Sequence, residues 1–269
     1  MAILRRRRTP DGRMSLGDHL RELRRRVIIA GIGLVAGAVV GWFQYNWLLV
    51  QLTEPLRAAA HQRGGALVKL NFNGVTTAFS IKLKIALFVG VILSSPVWLY
   101  QLWGFIVPGL TRRERRTAIA FIVAAVPLFL AGCTLADWAL PKAVEILLGF
   151  TPSSGVNLPN ASDYLTFCTR FILAFGLAFL LPVLLVALNL AHILPARVML
   201  AGWRVAVMLI FVFAAVMTPT PDAWTMLALA FPMIGLYFAA VGVAFLIDRG
   251  RKRAEPDWTG VADDEASTL

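Results

Sequence analysis

Six stretches of this chain carry no charged residue: Val27–Thr53, Ile85–Thr111, Thr117–Ala136, Phe171–Ala196, Val205–Pro221 and Ala223–Ile247. Crossing the ~30 Å hydrocarbon core of a bilayer takes about 20 apolar residues in helical form. Backbone polar groups cannot stay unpaired in lipid, so each stretch is expected to be a helix. Composition agrees: 58% of the 269 residues are hydrophobic and 15% charged, against about 25% charged in a soluble domain. The expectation is an all-α, polytopic membrane protein with six transmembrane helices. Three parts follow: a basic flexible leader over 1–14, a six-helix membrane domain over 15–247, and a disordered cytoplasmic tail over 248–269.

The net charge of +11 could suggest nucleic acid, but its distribution reads as topology. Lys and Arg number nine in 1–26, four in 112–116, two in 192–204 and four in 248–269, against Arg57, Arg63, Lys69 and Lys142 in the alternate segments. Such a bias places the basic segments, and with an even number of spans both termini, in the cytoplasm. No nucleic-acid role is expected. The first apolar run is too long for a cleavable signal peptide.

Taken in order, Ser15 and Asp18 form a helix-start signal. Leu16, Leu20, Leu23 and Val27 then share one helical face, with Asp18, Glu22 and Arg26 on another. This predicts a short helix along the inner surface, in which Glu22 can pair with Arg26 at i,i+4. Gly33, Gly37 and Gly41 make a ridge that admits a close helix neighbour. Pro55 and Gly64-Gly65 are expected to break an outer segment over 48–78. Helix two, about 79–104, enters with Lys82 and Lys84 able to reach outward, and Pro96 should kink it. Helix three, about 116–138, contains Pro127; an outer segment spans about 140–162. Helix four, about 163–188, contains Pro182, and Asp163 and Arg170 share a face. Val205–Met217 is only about 20 Å long at 1.5 Å per residue and should thin the bilayer locally. Kinked helices with a short pair suggest a bent, concave scaffold.

The chemistry is sparse. No run holds a mid-membrane carboxylate, which ion-coupled carriers need. No HExxH, GxSxG or phosphate-cradling glycine loop occurs, and His19, His61 and His192 are scattered. No catalytic residue, metal or cofactor is expected. Cys133 and Cys168 fit two buried apolar positions or, by depth, a disulfide. One feature exceeds the needs of topology: Glu114 lies among Arg112, Arg113, Arg115 and Arg116. A carboxylate binds a guanidinium bidentately in a way Lys cannot copy.

Several motifs resemble the TatC family, the core receptor of the twin-arginine protein translocase. His19–Arg26 (HLRELRRR) resembles its HLxELRxR signature. Pro96–Leu110 followed by Glu114-Arg115-Arg116 resembles its second helix and first inner loop. Phe175–Phe179 with Pro182 resembles its fourth helix, and Thr218–Asp222 (TPTPD) its last outer turn. The resemblance implies binding of twin-arginine signal peptides of folded proteins through Glu22 and Glu114. It adds Arg24, Pro96, Gln101, Phe105, Leu110, Arg115 and Arg116 to the binding site, and partner-helix contact at Leu180 and Asp222. It implies single-span partners of the TatA and TatB type, a homo-oligomeric receptor complex among membrane lipids, a bacterial inner-membrane location and the proton motive force as energy source. The family's fourth helix carries Glu or Gln where this chain has Leu180. The alternatives are a small-molecule transporter or channel, and an assembly scaffold that has lost export.

Overall fold

The computed structural model describes residues 16–62, 70–72, 74, 76–106, 112–149, 159–190, 193–217 and 223–254; the leader over 1–14 and most of the tail lie outside them. Within these bounds the chain is all α, with one isolated bridge between Asn71 and Asn160 and no strand. The helices are α1 (Leu16–Phe43), α2 (Tyr45–Gln62), α3 (Thr77–Leu93), α4 (Ser95–Ile106), α5 (Arg112–Gly149), α6 (Ala161–Ala178), α7 (Leu181–Leu190), α8 (Ala196–Ala201), α9 (Trp203–Met217) and α10 (Ala223–Ala254).

The glycine ridge of α1 is filled by α3 and α4. Gly41 faces Ala86 and Val89, Gly37 faces Gly90 and Leu93, and Gly33 faces Ser94 and Val97. The rising numbers on one helix meet falling numbers on the other, so the pair is antiparallel. A second close approach joins α5 to α6, where a Cβ on Gly132 would lie 2.5 Å from the Phe175 carbonyl oxygen and 2.9 Å from the Gly176 Cα. Without side chains at these points the backbones come near enough for dispersion to act between them.

The prolines shape the remaining helices in different ways. Helix two bends by 60° between α3 and α4. The break is at Ser94, and Pro96 sits in the first turn of α4, where its missing N–H costs nothing. The break frees the Val91 carbonyl, which accepts from the Trp98 indole N–H at 3.0 Å. Helix four likewise divides into α6 and α7 at Phe179-Leu180, just before Pro182.

Three expectations need correction. The predicted surface helix and first span are one helix, α1, because no glycine pair or proline interrupts residues 16–43. Pro55 does not break the next segment, since α2 continues through it. There Thr53 donates to the Leu49 and Val50 carbonyls, and the Tyr164 hydroxyl donates to the Leu52 carbonyl at 2.9 Å. Helix three runs through Pro127 and Pro141 to Gly149, so half of the expected outer segment is helical. It is held by buried Leu140, Ala143, Val144 and Leu148.

Four helical units are long and apolar enough to span a bilayer: within α1, α5, α6–α7 and α10. The bent α3–α4 pair makes a fifth. With the 15-residue α9 as a short sixth, the arrangement is compatible with six spans. Contacts sort the helix ends into two groups. The start of α1, the end of α4 and the start of α5 share one end, joined by stacks of His19 on Phe105 and Trp103 on Phe121. The ends of α7 and α10 meet where Asp248 accepts from the Asn189 amide and the Ala196 N–H. At the opposite end, Asn71 exchanges backbone hydrogen bonds with Pro159 and Ala161, and Lys84 of α3 reaches α6.

Candidate functional site

At the start of α1 the i,i+4 spacing brings Glu22 and Arg26 together. Arg26 Nη2 donates to Glu22 Oε1 at 2.6 Å, with about a fifth of each side chain exposed. Arg26 Nη1 also donates to the Gln101 carbonyl at 3.3 Å. The guanidinium fits there because residue 104 is glycine; a Cβ at Gly104 would overlap Arg26 Nη1. Arg26 Nε is buried with no hydrogen-bond partner. The pair is thus wedged between α1 and α4. A sheltered, charge-assisted contact of this kind is worth roughly 1.5–3 kcal/mol, while the loose, exposed Asp18–Arg21 contact at 3.8 Å adds next to nothing. Among the described residues Glu22 Oε2 accepts no hydrogen bond.

Two of the sequence-expected residues, Gln101 and Phe105, gather around this pair. His19 stacks on Phe105 with ring centroids 4.6 Å apart and Gln101 contributes its carbonyl; Arg24, two residues from Glu22 and from Arg26, is exposed on the other side of α1. Pro96 is not part of this cluster: it is exposed at the α3–α4 bend, nine residues before Phe105. Glu114, Arg115 and Arg116 lie in the first turn of α5, their side chains outside what is described, and Leu110 and Asp222 lie outside the described residues. The register of α5 still carries information. Glu114 stands seven residues, about two turns, before Phe121, and Phe121 stacks on Trp103 at 4.1 Å. Residues 107–111 alone separate α4 from α5, so Arg112 lies within roughly 20 Å of Ile106.

Leu180 sits in the α6–α7 turn. It lines a cavity of about 460 Å³ with Leu99, Leu102, Phe121, Phe213 and Tyr237, and the lining is almost wholly apolar. Cys133 and Cys168 are buried and free, as two small apolar side chains. Among the described residues no group of His, Cys, Asp or Glu could hold a metal ion. Sequence reasoning missed Gly104, whose signal is a lone glycine in the bulky run Leu102-Trp103-Gly104-Phe105. It also missed Asp248, the first charge after the last apolar run.

A family profile described as Sec-independent protein translocase protein (TatC) matches residues 18–232. The Sec-independent protein translocase protein TatC of Xylanimonas cellulosilytica is 52% identical over 241 residues, covering 90% of this chain and 87% of that one. The TatC protein of Frankia casuarinae is 39% identical over 274 residues, covering 98% and 75%. A crystal structure of the twin arginine translocase receptor TatC in DDM superposes with a TM-score of 0.72 at 31% identity, over 84% of this chain and 99% of that one. The chain belongs to the TatC family and is a multi-pass membrane component of a Sec-independent protein translocase.

Proposed function

We propose that this chain recognises twin-arginine signal peptides of folded proteins at the cytoplasmic face of the bacterial inner membrane, with Glu22 and Glu114 each receiving one arginine. The carrying observation is the sheltered Glu22 carboxylate, whose Oε2 accepts no hydrogen bond among the described residues, at the helix end where α5 begins. The Trp103–Phe121 stack and the short 107–111 connection support placing Glu114 in reach of the same peptide. Shelter matters for selectivity. An exposed carboxylate–guanidinium pair gives only ~0.2–1 kcal/mol, whereas a protected one gives roughly 1.5–3. Only a guanidinium can donate two parallel hydrogen bonds to one carboxylate, which at Glu22 requires Arg26 to release Oε1. The family resemblance adds Arg24, Arg115 and Arg116 to the binding site, and Phe105 offers an apolar surface beside Glu22.

TatA and TatB type single-span proteins complete the export site with further copies of this chain, the proton motive force supplies the energy, and no covalent chemistry occurs. The test uses a signal peptide with a photoreactive group beside its arginine pair, added to membranes containing the full chain. An RR peptide should label residues near 22 and 114. A KK peptide, or a Glu22→Gln/Glu114→Gln receptor, should reduce labelling by at least about tenfold, the value of one charge-assisted hydrogen bond, and up to about a hundredfold for two. Equal labelling by RR and KK would reject the assignment. Leu180, in an apolar cavity where the family pattern has Glu or Gln, favours a second reading: a scaffold that has lost export. Restoration of export in a strain lacking its own receptor separates the two.

A further inference from the structure

Between α3 and α6, at the helix ends opposite Glu22, two cations share one face with no carboxylate partner among the described residues. The Lys84 ammonium donates to Ser162 Oγ and Thr166 Oγ1, both at 3.0 Å. Arg170 follows Thr166 by one turn on the Ser162–Thr166–Arg170 stripe and is exposed. It forms no ion pair among the described residues. Asp163 precedes Arg170 by about two turns, roughly 10 Å along the helix, too far for contact. Both cations lie in helical units long and apolar enough to span a bilayer, Lys84 about 10 Å and Arg170 about 14 Å from their starts. A charged side chain that faces lipid calls for an anionic partner.

We propose that Lys84, Arg170 and the Ser162 hydroxyl form a binding site for the phosphate of an anionic glycerophospholipid in the leaflet opposite the signal-peptide face. Three features favour this ligand. Side chains lean toward the N-terminus of their helix, and α3 and α6 both start at this end, so Lys84 and Arg170 lean toward the headgroup layer. Lys84 is already fixed by two hydroxyls and keeps one N–H to donate; the Ser162 hydroxyl accepts from Lys84 and donates to no described residue. Beside the polar group, α3 exposes Phe79, Leu83 and Leu87, a surface for acyl chains that free phosphate would not use. Two unpaired cations favour a headgroup with net negative charge over a zwitterionic one. Lys82 is engaged elsewhere, 4.4 Å from the Trp42 ring centroid.

The experiment exchanges the full-length protein into mixed phosphatidylglycerol and phosphatidylcholine and counts retained lipids by native mass spectrometry. Wild type should retain phosphatidylglycerol about tenfold over phosphatidylcholine, matching one charge-assisted hydrogen bond. Lys84→Gln/Arg170→Gln should remove that preference. Lys84→Arg/Arg170→Lys should keep it, as should Lys142→Gln, which alters a lysine of α5 paired with Glu145. Equal retention of the two lipids, or undiminished preference in the double Gln variant, would overturn the proposal. So would displacement of the lipid by excess inorganic phosphate, which would identify free phosphate as the ligand.

Discussion

Replacing Gly90 with alanine tests the seam that positions α1, and hence Glu22. A Cβ at residue 90 would lie 2.7 Å from the Leu34 carbonyl oxygen, 3.0 Å from the Ala38 nitrogen and 3.1 Å from the Ala38 Cβ. Two of these atoms are backbone, so no rotamer change relieves the overlap. Heavy atoms settle at about 3.5–4.0 Å, so α1 must retreat by about 0.5–1 Å. Overpacking of this kind costs roughly 1–3 kcal/mol. Alanine's better helix propensity offsets about 1 kcal/mol, leaving a net loss of up to ~2 kcal/mol. Gly31→Ala is the control: it lies on the same α1, with nothing within 4 Å of its Cβ. The propensity gain is shared, so the difference between the two variants isolates packing at about 1–3 kcal/mol. Denaturant unfolding in detergent, followed by helical circular dichroism, measures it. Gly90→Ala should unfold earlier than wild type while Gly31→Ala matches or exceeds it. Equal midpoints would refute the claim that α1 is held by backbone contact along the glycine ridge.

Other changes probe separate contacts. Tyr164→Phe removes the donor to the Leu52 carbonyl and should lower stability by about 1 kcal/mol in the same unfolding assay; no change would mean the bond does not help anchor α2. Cys133 and Cys168 are 7% and 0% exposed, so maleimide labelling should be negligible until the protein is unfolded, when both should react. Leu180→Gln places an amide in the apolar cavity and should cost about 1–3 kcal/mol. If this turn contacts a partner helix, the same change should raise co-purification of a TatA-type protein; unchanged recovery would remove residue 180 from that contact.

Much of this fold is legible in the sequence because the bilayer allows few solutions. Uncharged runs mark the spans, and the spacing of Gly33, Gly37 and Gly41 marks the face that meets α3. Glu22–Arg26 is a local pair, readable from i,i+4 spacing. Tertiary contacts were harder to read. Pro55 and Pro141 look like breaks, yet α2 and α5 continue through them because buried neighbours hold the chain. Lys82 and Lys84 read as side chains reaching outward, but one rests on Trp42 and the other bonds across to α6. The Arg26 wedge needs Gly104, 78 positions away, and no periodicity links the two.

The account rests on Glu22 and Glu114 facing one short ligand. With Cys133 and Cys168 buried, thiol cross-linking of a Glu22→Cys/Glu114→Cys variant in native membranes tests this directly, using a flexible bifunctional reagent about as long as a doublet of extended residues, ~7 Å. The account predicts efficient intramolecular cross-linking. No product, or a yield matching that of a control pair at Glu22 and Lys142 on opposite ends, would show that the two carboxylates cannot grip one peptide.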